Sequence, residues 1–229
     1  MKYQRFIALG DSMTEGMSDE LTNGKYRGWA DRTADVLATG NSNFTYMNLA
    51  VRGKLLQQVI DDQIPLVGPY VTGKETLISF HAGANDVIRP KYDPAIAKPK
   101  YRQGVADLTA TGATVVLFTV VEKADGKGKV ADLWHERFSD FNSHVREVAK
   151  EFGAVLMDAK DAPFLSDRRL LNSDRLHLNP EGHWRLSQAV LEGLGYPFDA
   201  NWKVPLGIAP KKSKTISTIE NSIWIATFV

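Results

Sequence analysis

Cysteine is missing from the 229-residue sequence. Its absence excludes disulfide bonds, thiolate metal sites and a cysteine nucleophile. An excess of either charge is missing as well, because 28 lysines and arginines oppose 27 aspartates and glutamates and leave a net charge of +1. Nothing in that balance indicates a nucleic-acid or an anionic-membrane partner.

Long apolar runs are also missing. No stretch approaches the length of a membrane span, and the apolar run that follows Arg5 is too short for the core of a signal peptide. No internal repeat or low-complexity tract is present. We therefore expect a cytoplasmic protein without membrane or nucleic-acid partners.

Strand and helix signals alternate along the chain, whose 43% hydrophobic and 24% charged residues are ordinary for a globular domain. Short apolar or β-branched runs predict strands at 6–9, 44–50, 76–81, 114–121 and 154–157. Helical spacing of apolar residues predicts helices at 29–37, 55–64, 99–111, 133–152 and 180–194. The last helix has the clearest start, because Asn179 can cap it and Pro180 suits its first position. Such alternation predicts a parallel sheet covered by helices on both faces.

Four polar motifs follow predicted strands. Ser12 lies in Gly-Asp-Ser-Met-Thr-Glu-Gly after the first strand, and Gly53 ends Asn-Leu-Ala-Val-Arg-Gly after the second. Asn85 lies in Gly-Ala-Asn-Asp after the third strand, and Asp174 stands three residues before His177 after the fifth. Because ligands gather at the carboxyl ends of the strands in open parallel sheets, we expect these residues to meet at one edge.

The residue types in these motifs suit attack on an ester carbonyl, which needs a nucleophile, a base and donors for the oxyanion. Ser12 supplies a hydroxyl, His177 can accept and return its proton, and Asp174 can orient the imidazole. Gly53 has no side chain, so its backbone N–H can approach the substrate closely. Asn85 offers a side-chain N–H, which with the amides of Ser12 and Gly53 makes three oxyanion donors.

Each of these residues has a structural interpretation when it is taken alone, as a helix cap, a turn residue or a solvated side chain. Together with their neighbours, the motifs resemble those of the SGNH hydrolases, also called GDSL esterases and lipases, over roughly residues 4 to 195. The resemblance implies an α/β fold: a three-layer α/β/α sandwich, flavodoxin-like, with five parallel strands in the order 2-1-3-4-5. It also implies that Asp11 and Asp86 support the site without reacting, and it implies no metal or cofactor.

From this resemblance we expect a carboxylesterase or acetylesterase-like enzyme whose partner is a small-molecule ester. Ser12 would attack the carbonyl, His177 would relay the proton, and water would release the acyl group. Two other functions remain open. A transferase would pass the acyl group to an alcohol through the same residues, and a non-enzymatic flavodoxin-like binding module would carry the set by coincidence.

Two weaker signals do not support a different function. Residues 68–75 nearly fit a phosphate-binding loop, but Glu75 stands where Ser or Thr should hold magnesium, and the segment precedes a strand. His177 and His183 are not at a usual metal-ligand spacing. We expect His183 to pack on the last helix.

The sequence pattern changes after Pro197. We expect a catalytic domain at 1–197 and a C-terminal extension at 198–229, whose apolar residues predict an appended helix. This helix would dock on the domain or on a partner subunit, and in the second case the chain would form a homo-oligomer.

Overall fold

A computed structural model describes residues 3–122, 128–161 and 167–208. Its strands are, in chain order, β1 (Arg5–Gly10), β2 (Leu21–Thr22), β3 (Lys25–Tyr26), β4 (Thr45–Asn48), β5 (Thr76–His81), β6 (Thr114–Phe118) and β7 (Val155–Met157). Five of them form one sheet in the order β4-β1-β5-β6-β7, with every neighbouring pair parallel. Counted as the five predicted strands, this order is 2-1-3-4-5, so the predicted fold class is confirmed.

Helices cover both faces of this sheet. They are α1 (Ser12–Glu15), α2 (Trp29–Leu37), α3 (Leu56–Asp62), α4 (Ala84–Val87), α5 (Pro94–Ala110), α6 (Lys129–Phe152) and α7 (Pro180–Leu194). One core packs α3, α5 and α6 against the sheet, and a second core packs α2 and α7 against its other face. The result is a three-layer sandwich.

The alternation of side chains along β1 explains why the sheet has a core on each side. Ile7 and Leu9 lie in the core beneath α3, α5 and α6, whereas Phe6 and Ala8 lie in the core beneath α2 and α7. Successive residues of a strand point to opposite faces, so a central strand with a helix layer on each side must be apolar throughout.

The start of α5 differs from the sequence prediction, which began this helix at Pro99. The helix begins at Pro94, and the side chain of Asp93 caps it by accepting a hydrogen bond from the N–H of Ala95. Pro99 lies inside the helix. The Asp-Pro pair is the same kind of start signal as the Asn-Pro pair before α7, and it outweighs the later proline as a boundary marker.

The strand predicted at 114–121 ends earlier than expected. β6 stops at Phe118, and the backbone of Val120 then bonds to the side chain of Asn142, which donates to its carbonyl oxygen at 2.7 Å and accepts from its N–H at 2.8 Å. A side chain of α6 thus replaces the neighbouring strand as the hydrogen-bond partner. A β-branched run in the sequence cannot indicate such a replacement.

The helical turn at Ala200–Lys203 packs against the last helix. Trp202 is buried beside Leu170, and the guanidinium of Arg185 on α7 donates to the carbonyl oxygens of Trp202 and Val204. The helix predicted from the apolar residues near the C-terminus lies outside the described residues. Within the described part of the chain, no helix combines the length and the apolar character that crossing a membrane requires.

Candidate active site

Ser12 lies directly behind the carboxyl end of β1, at the start of the one-turn helix α1. Asp11 caps this helix by accepting a hydrogen bond from the N–H of Met13. Position 10, directly before the cap, requires glycine, because its φ is +151° and a Cβ atom there would lie 2.4 Å from the carbonyl oxygen of His81. This close turn presents Ser12 at the edge of the sheet with 8% of its surface exposed.

Ser12, His177 and Asp174 form a continuous chain of hydrogen bonds. Oγ of Ser12 is 2.8 Å from Nε2 of His177, and Nδ1 of His177 is 2.7 Å from Oδ2 of Asp174. An ionised carboxylate only accepts hydrogen bonds, so Nδ1 carries the imidazole proton and Nε2 is left to accept from the serine hydroxyl. The fold thus joins two residues 165 positions apart in a geometry that suits removal of the serine proton.

A short loop before α7 orients His177. Leu171 and Leu178 close the loop as an antiparallel bridge, and Oδ1 of Asp174 accepts from the backbone N–H groups of Leu176 and His177 at 2.9 and 3.0 Å. Burial raises the pKa of Asp174, but the hydrogen bonds from His177 and from these backbone groups outweigh burial and hold the pKa below its usual value. The carboxylate therefore stays ionised beside the imidazole.

Two backbone amides are candidates for binding an oxyanion. The N–H of Ser12 lies in the first turn of α1, ahead of the first hydrogen bond within the helix. Gly53 follows β4 with a φ of +76°, and a Cβ atom there would meet nothing within 4 Å, so the need for glycine is conformational and not steric. Neither amide donates a hydrogen bond to another of the described residues.

Asn85 lies in the one-turn helix α4, close behind β5. Its side-chain amide donates to the carbonyl oxygen of Lys54 at 3.0 Å and to Oδ2 of Asp11 at 3.3 Å. Asn85 therefore joins the segment that contains Gly53 to the cap of the serine's helix. The hydrogen bond to Asp11 is the longer and weaker of the two. The Asn85 N–H that makes it is therefore the one from which an oxyanion can accept.

Asp11 and Asp86 bind the main chain around the site. Oδ2 of Asp86 accepts from the N–H of Leu56 at 2.8 Å, at the start of α3, while Asp11 caps α1. Burial raises the pKa of both carboxyl groups, against the opposing effects of nearby charges and backbone N–H donors. Their geometry suits support of the site and not reaction with a substrate.

His183 is fully buried on α7, as the sequence predicts. Its Nδ1 accepts from the N–H of Trp29 at 3.3 Å, and its Nε2 lies 3.1 Å from the carbonyl oxygen of Met17, so Nε2 carries the proton. Burial lowers the pKa of this imidazole. Both ring nitrogens are occupied by backbone groups, and among the described residues no three His, Cys, Asp or Glu side chains converge on a metal position.

Sequence reasoning gave no role to Glu15 or Arg52, although both lie in the motifs that contain Ser12 and Gly53. The structure joins their side chains through several hydrogen bonds across 37 positions of sequence. Opposite charge in two neighbouring motifs was the only signal for this contact, and it does not specify which of the surrounding charges will pair.

One protein family and two solved esterase structures resemble most of this chain. The model of the GDSL-like lipase/acylhydrolase family matches residues 8–185. An acetylxylan esterase from Geobacillus stearothermophilus superposes with a TM-score of 0.64 at 18% identity, over 87% of this chain and 100% of its own. The psychrotrophic esterase EstA from Pseudoalteromonas sp. superposes with a TM-score of 0.62 at 16% identity, over 84% of this chain and 97% of its own.

At these identities the two solved structures establish the fold alone. No protein with a curated description matches the chain. The family match covers more than half of the 229 residues. The chain therefore belongs to the GDSL-like lipase/acylhydrolase family and is a carboxylic ester hydrolase.

Proposed function

We propose that this protein is a carboxylesterase of the acetylesterase type, in which Ser12 forms an acyl-enzyme and His177 is the general base. Asp174 orients the imidazole and stabilises its charged form. The proposal rests on the unbroken chain of hydrogen bonds through these three residues, at 2.8 and 2.7 Å. Serine hydrolases on unrelated folds activate a hydroxyl through the same arrangement.

The reaction begins when Oγ of Ser12 attacks the carbonyl carbon of the ester while Nε2 of His177 removes the hydroxyl proton. Asp174, kept ionised by its hydrogen bonds, stabilises the imidazolium that forms. The proton then passes to the leaving oxygen, and the alcohol departs. A water molecule deprotonated by the same imidazole attacks the acyl-enzyme, and the acid and the free serine hydroxyl are restored.

The negative charge that develops on the carbonyl oxygen is bound by three donors in this scheme. They are the backbone N–H groups of Ser12 and Gly53 and the side-chain amide of Asn85. The two backbone groups make no competing hydrogen bond with the described residues, and the amide of Asn85 exchanges its long contact to Asp11 for the oxyanion. Removing one such donor typically lowers kcat by about 10²–10³.

The substrate class that we propose is a short-chain ester, acetyl above all, of a small alcohol. Support comes from the solved structures that share the fold, which include acetylxylan and acetyl-xylooligosaccharide esterases from Geobacillus stearothermophilus. No metal or cofactor takes part in the scheme, whose substrates are the ester and water.

Hydrolysis of p-nitrophenyl acetate by the wild type and by Ser12→Ala tests the proposal. The wild type should release p-nitrophenol and acetate, and the variant should lose this activity while keeping its fold by circular dichroism. Retention of more than a few per cent of the wild-type rate by clean variant protein would exclude Ser12 as the nucleophile. Adding a second alcohol separates the transferase alternative, since a transferase would form the new acetyl ester in place of acetate.

A further inference from the structure

The carboxylate of Glu15 binds both the main chain and the side chain of Arg52. Oε2 of Glu15 accepts from the backbone N–H of Arg52 at 2.7 Å, and its two oxygens also accept from Nε at 3.1 and 3.0 Å and from Nη2 at 2.6 Å. Glu15 is the last residue of α1, the helix that begins with Ser12. Arg52 is the residue directly before Gly53.

The Glu15–Arg52 contact differs from an ordinary surface ion pair because it holds main chain as well as side chains. Arg102 and Glu151 form a forked pair on the outside of α5 and α6, with side chains 48% and 44% exposed, and only side-chain atoms take part. Exposed pairs of that kind contribute little to stability. In the Glu15–Arg52 pair, where the side chains are 25% and 49% exposed, the backbone N–H donor also ties the main chain.

The segment around Gly53 is bound to the rest of the site on both sides. Before it, Glu15 holds the backbone of Arg52, and after it, the amide of Asn85 holds the carbonyl oxygen of Lys54 at 3.0 Å. The peptide group between Arg52 and Gly53 carries the Gly53 N–H, so the direction of that N–H depends on the main chain that Glu15 holds.

We infer that Glu15 and Arg52 are positioning residues, which hold the Gly53 N–H at the distance from Ser12 that the oxyanion requires. The inference rests on the proposed function, because it assumes that Gly53 donates to the oxyanion. Glu15 joins the nucleophile's helix to the loop of the second donor, so that the two donors move as one unit. Neither Glu15 nor Arg52 contacts the reacting atoms in this scheme.

Kinetics with p-nitrophenyl acetate test the inference in Glu15→Ala, Arg52→Ala and the double variant. Glu15→Ala should lower kcat about tenfold with KM unchanged, which is less than the loss of a donor because the N–H is displaced and not removed. Arg52→Ala keeps the backbone N–H from which Glu15 accepts, so it should lower kcat by a smaller factor, also with KM unchanged. The double variant should be no worse than Glu15→Ala, since the Arg52 side chain acts only through its contact with Glu15. Inhibition by a short alkylboronic acid, which forms a tetrahedral adduct with an activated serine, should weaken by the same factor.

A conservative variant separates the backbone contact from the charge. Glu15→Gln keeps an oxygen that can accept from the Arg52 N–H, so it should retain most of the wild-type kcat. Glu151→Ala is the matched control for an Arg–Glu pair away from the site, and it should leave kcat, KM and boronic-acid inhibition unchanged.

Three outcomes would overturn the inference. They are an unchanged kcat in folded Glu15→Ala, a Glu15→Gln variant as poor as Glu15→Ala, and an Arg52→Ala variant that raises KM alone, as a substrate-binding residue would. Failure of the proposed function is a separate result, because it would appear as activity that survives Ser12→Ala.

Discussion

Two polar clusters lie at the same edge of the sheet, but only the first has donors and acceptors arranged so that a hydroxyl can lose its proton to a base. In the first, a hydroxyl donates to an imidazole and the imidazole donates to a carboxylate, through Ser12, His177 and Asp174. The second follows β6 and β7, where Arg146 donates to both oxygens of Asp158 at 2.6 and 2.8 Å and to Glu122 at 3.3 Å.

The second cluster also contains a hydroxyl behind a strand, but that hydroxyl is committed to structure. Oγ1 of Thr119 donates to Asp158 at 3.0 Å and accepts from the N–H of Ala159 at 2.7 Å. Arg146 stays protonated at any pH of interest, so it cannot take a proton from Thr119. A polar residue after a strand therefore does not by itself mark the site, because the neighbouring group must also be able to change its protonation state.

Alanine in place of each of the two hydroxyl side chains should separate the clusters most sharply. Ser12→Ala should lower kcat for p-nitrophenyl acetate by more than about 10³-fold, since the nucleophile is lost. Thr119→Ala should cost stability but leave the rate per folded molecule near the wild-type value. Equal loss of activity in the two folded variants would erase the distinction between the clusters.

The base should matter as much as the nucleophile. His177→Ala should lose as much kcat as Ser12→Ala, because the two groups act as a unit, whereas Asp174→Ala should cost less. The kcat of the purified, folded variants checks this ranking, and equal losses at Asp174 and His177 would contradict it.

Replacing the oxyanion donor Asn85 should have a smaller effect, because its amide is needed only in the transition state. Asn85→Ala should lower kcat about 10²–10³-fold with little change in KM. Asn85→Asp should be at least as harmful, because a carboxylate repels the oxyanion and would also stand beside Asp11. A raised KM with kcat unchanged would instead make Asn85 a substrate-binding residue.

The smallest of these effects is expected in the charged cluster of Arg146, Asp158 and Glu122. Replacing Asp158 should change stability at acidic pH and leave activity unchanged. Hydrogen bonds from Arg146, together with those of Lys160 and Thr119, lower the pKa of Asp158 from 3.8 to about 2 against the effect of burial. Its contribution to the free energy of unfolding is therefore present above pH 3.8 and is lost as the pH falls towards 2. Urea unfolding of Asp158→Asn across this range should show a shallower pH dependence than the wild type, at unchanged kcat near neutrality.

Strand positions were sufficient to predict a parallel sheet and the edge at which Ser12 and His177 meet, and the family resemblance supplied the strand order. Two local features were missed although the sequence carries their signals. One is the cap formed by Asp93 before α5. The other is the hairpin of β2 and β3, whose Asn23 and Gly24 turn has φ of 53° and 77°. An Asn-Gly pair favours this turn, but two-residue strands show no periodicity that would draw attention to it.

The contacts that support the site could not be predicted in the same way. The Asn85 amide reaches Asp11 across 74 positions of sequence, and Glu15 reaches Arg52 across 37. Each pairing depends on how closely two loops approach after the sheet has formed. Residue type and order restrict which side chains arrive at the edge, whereas tertiary packing decides which of them bind each other.

Covalent labelling tests most directly whether Ser12 is an activated nucleophile, because it requires no knowledge of the substrate. A fluorophosphonate probe should label the wild type once, and mass spectrometry of the digested protein should find the adduct on the peptide that contains Ser12. Labelling should be lost in Ser12→Ala and strongly slowed in His177→Ala, while Thr119→Ala should react like the wild type. A wild-type protein that remains unlabelled, or an adduct on another residue, would contradict the proposed mechanism.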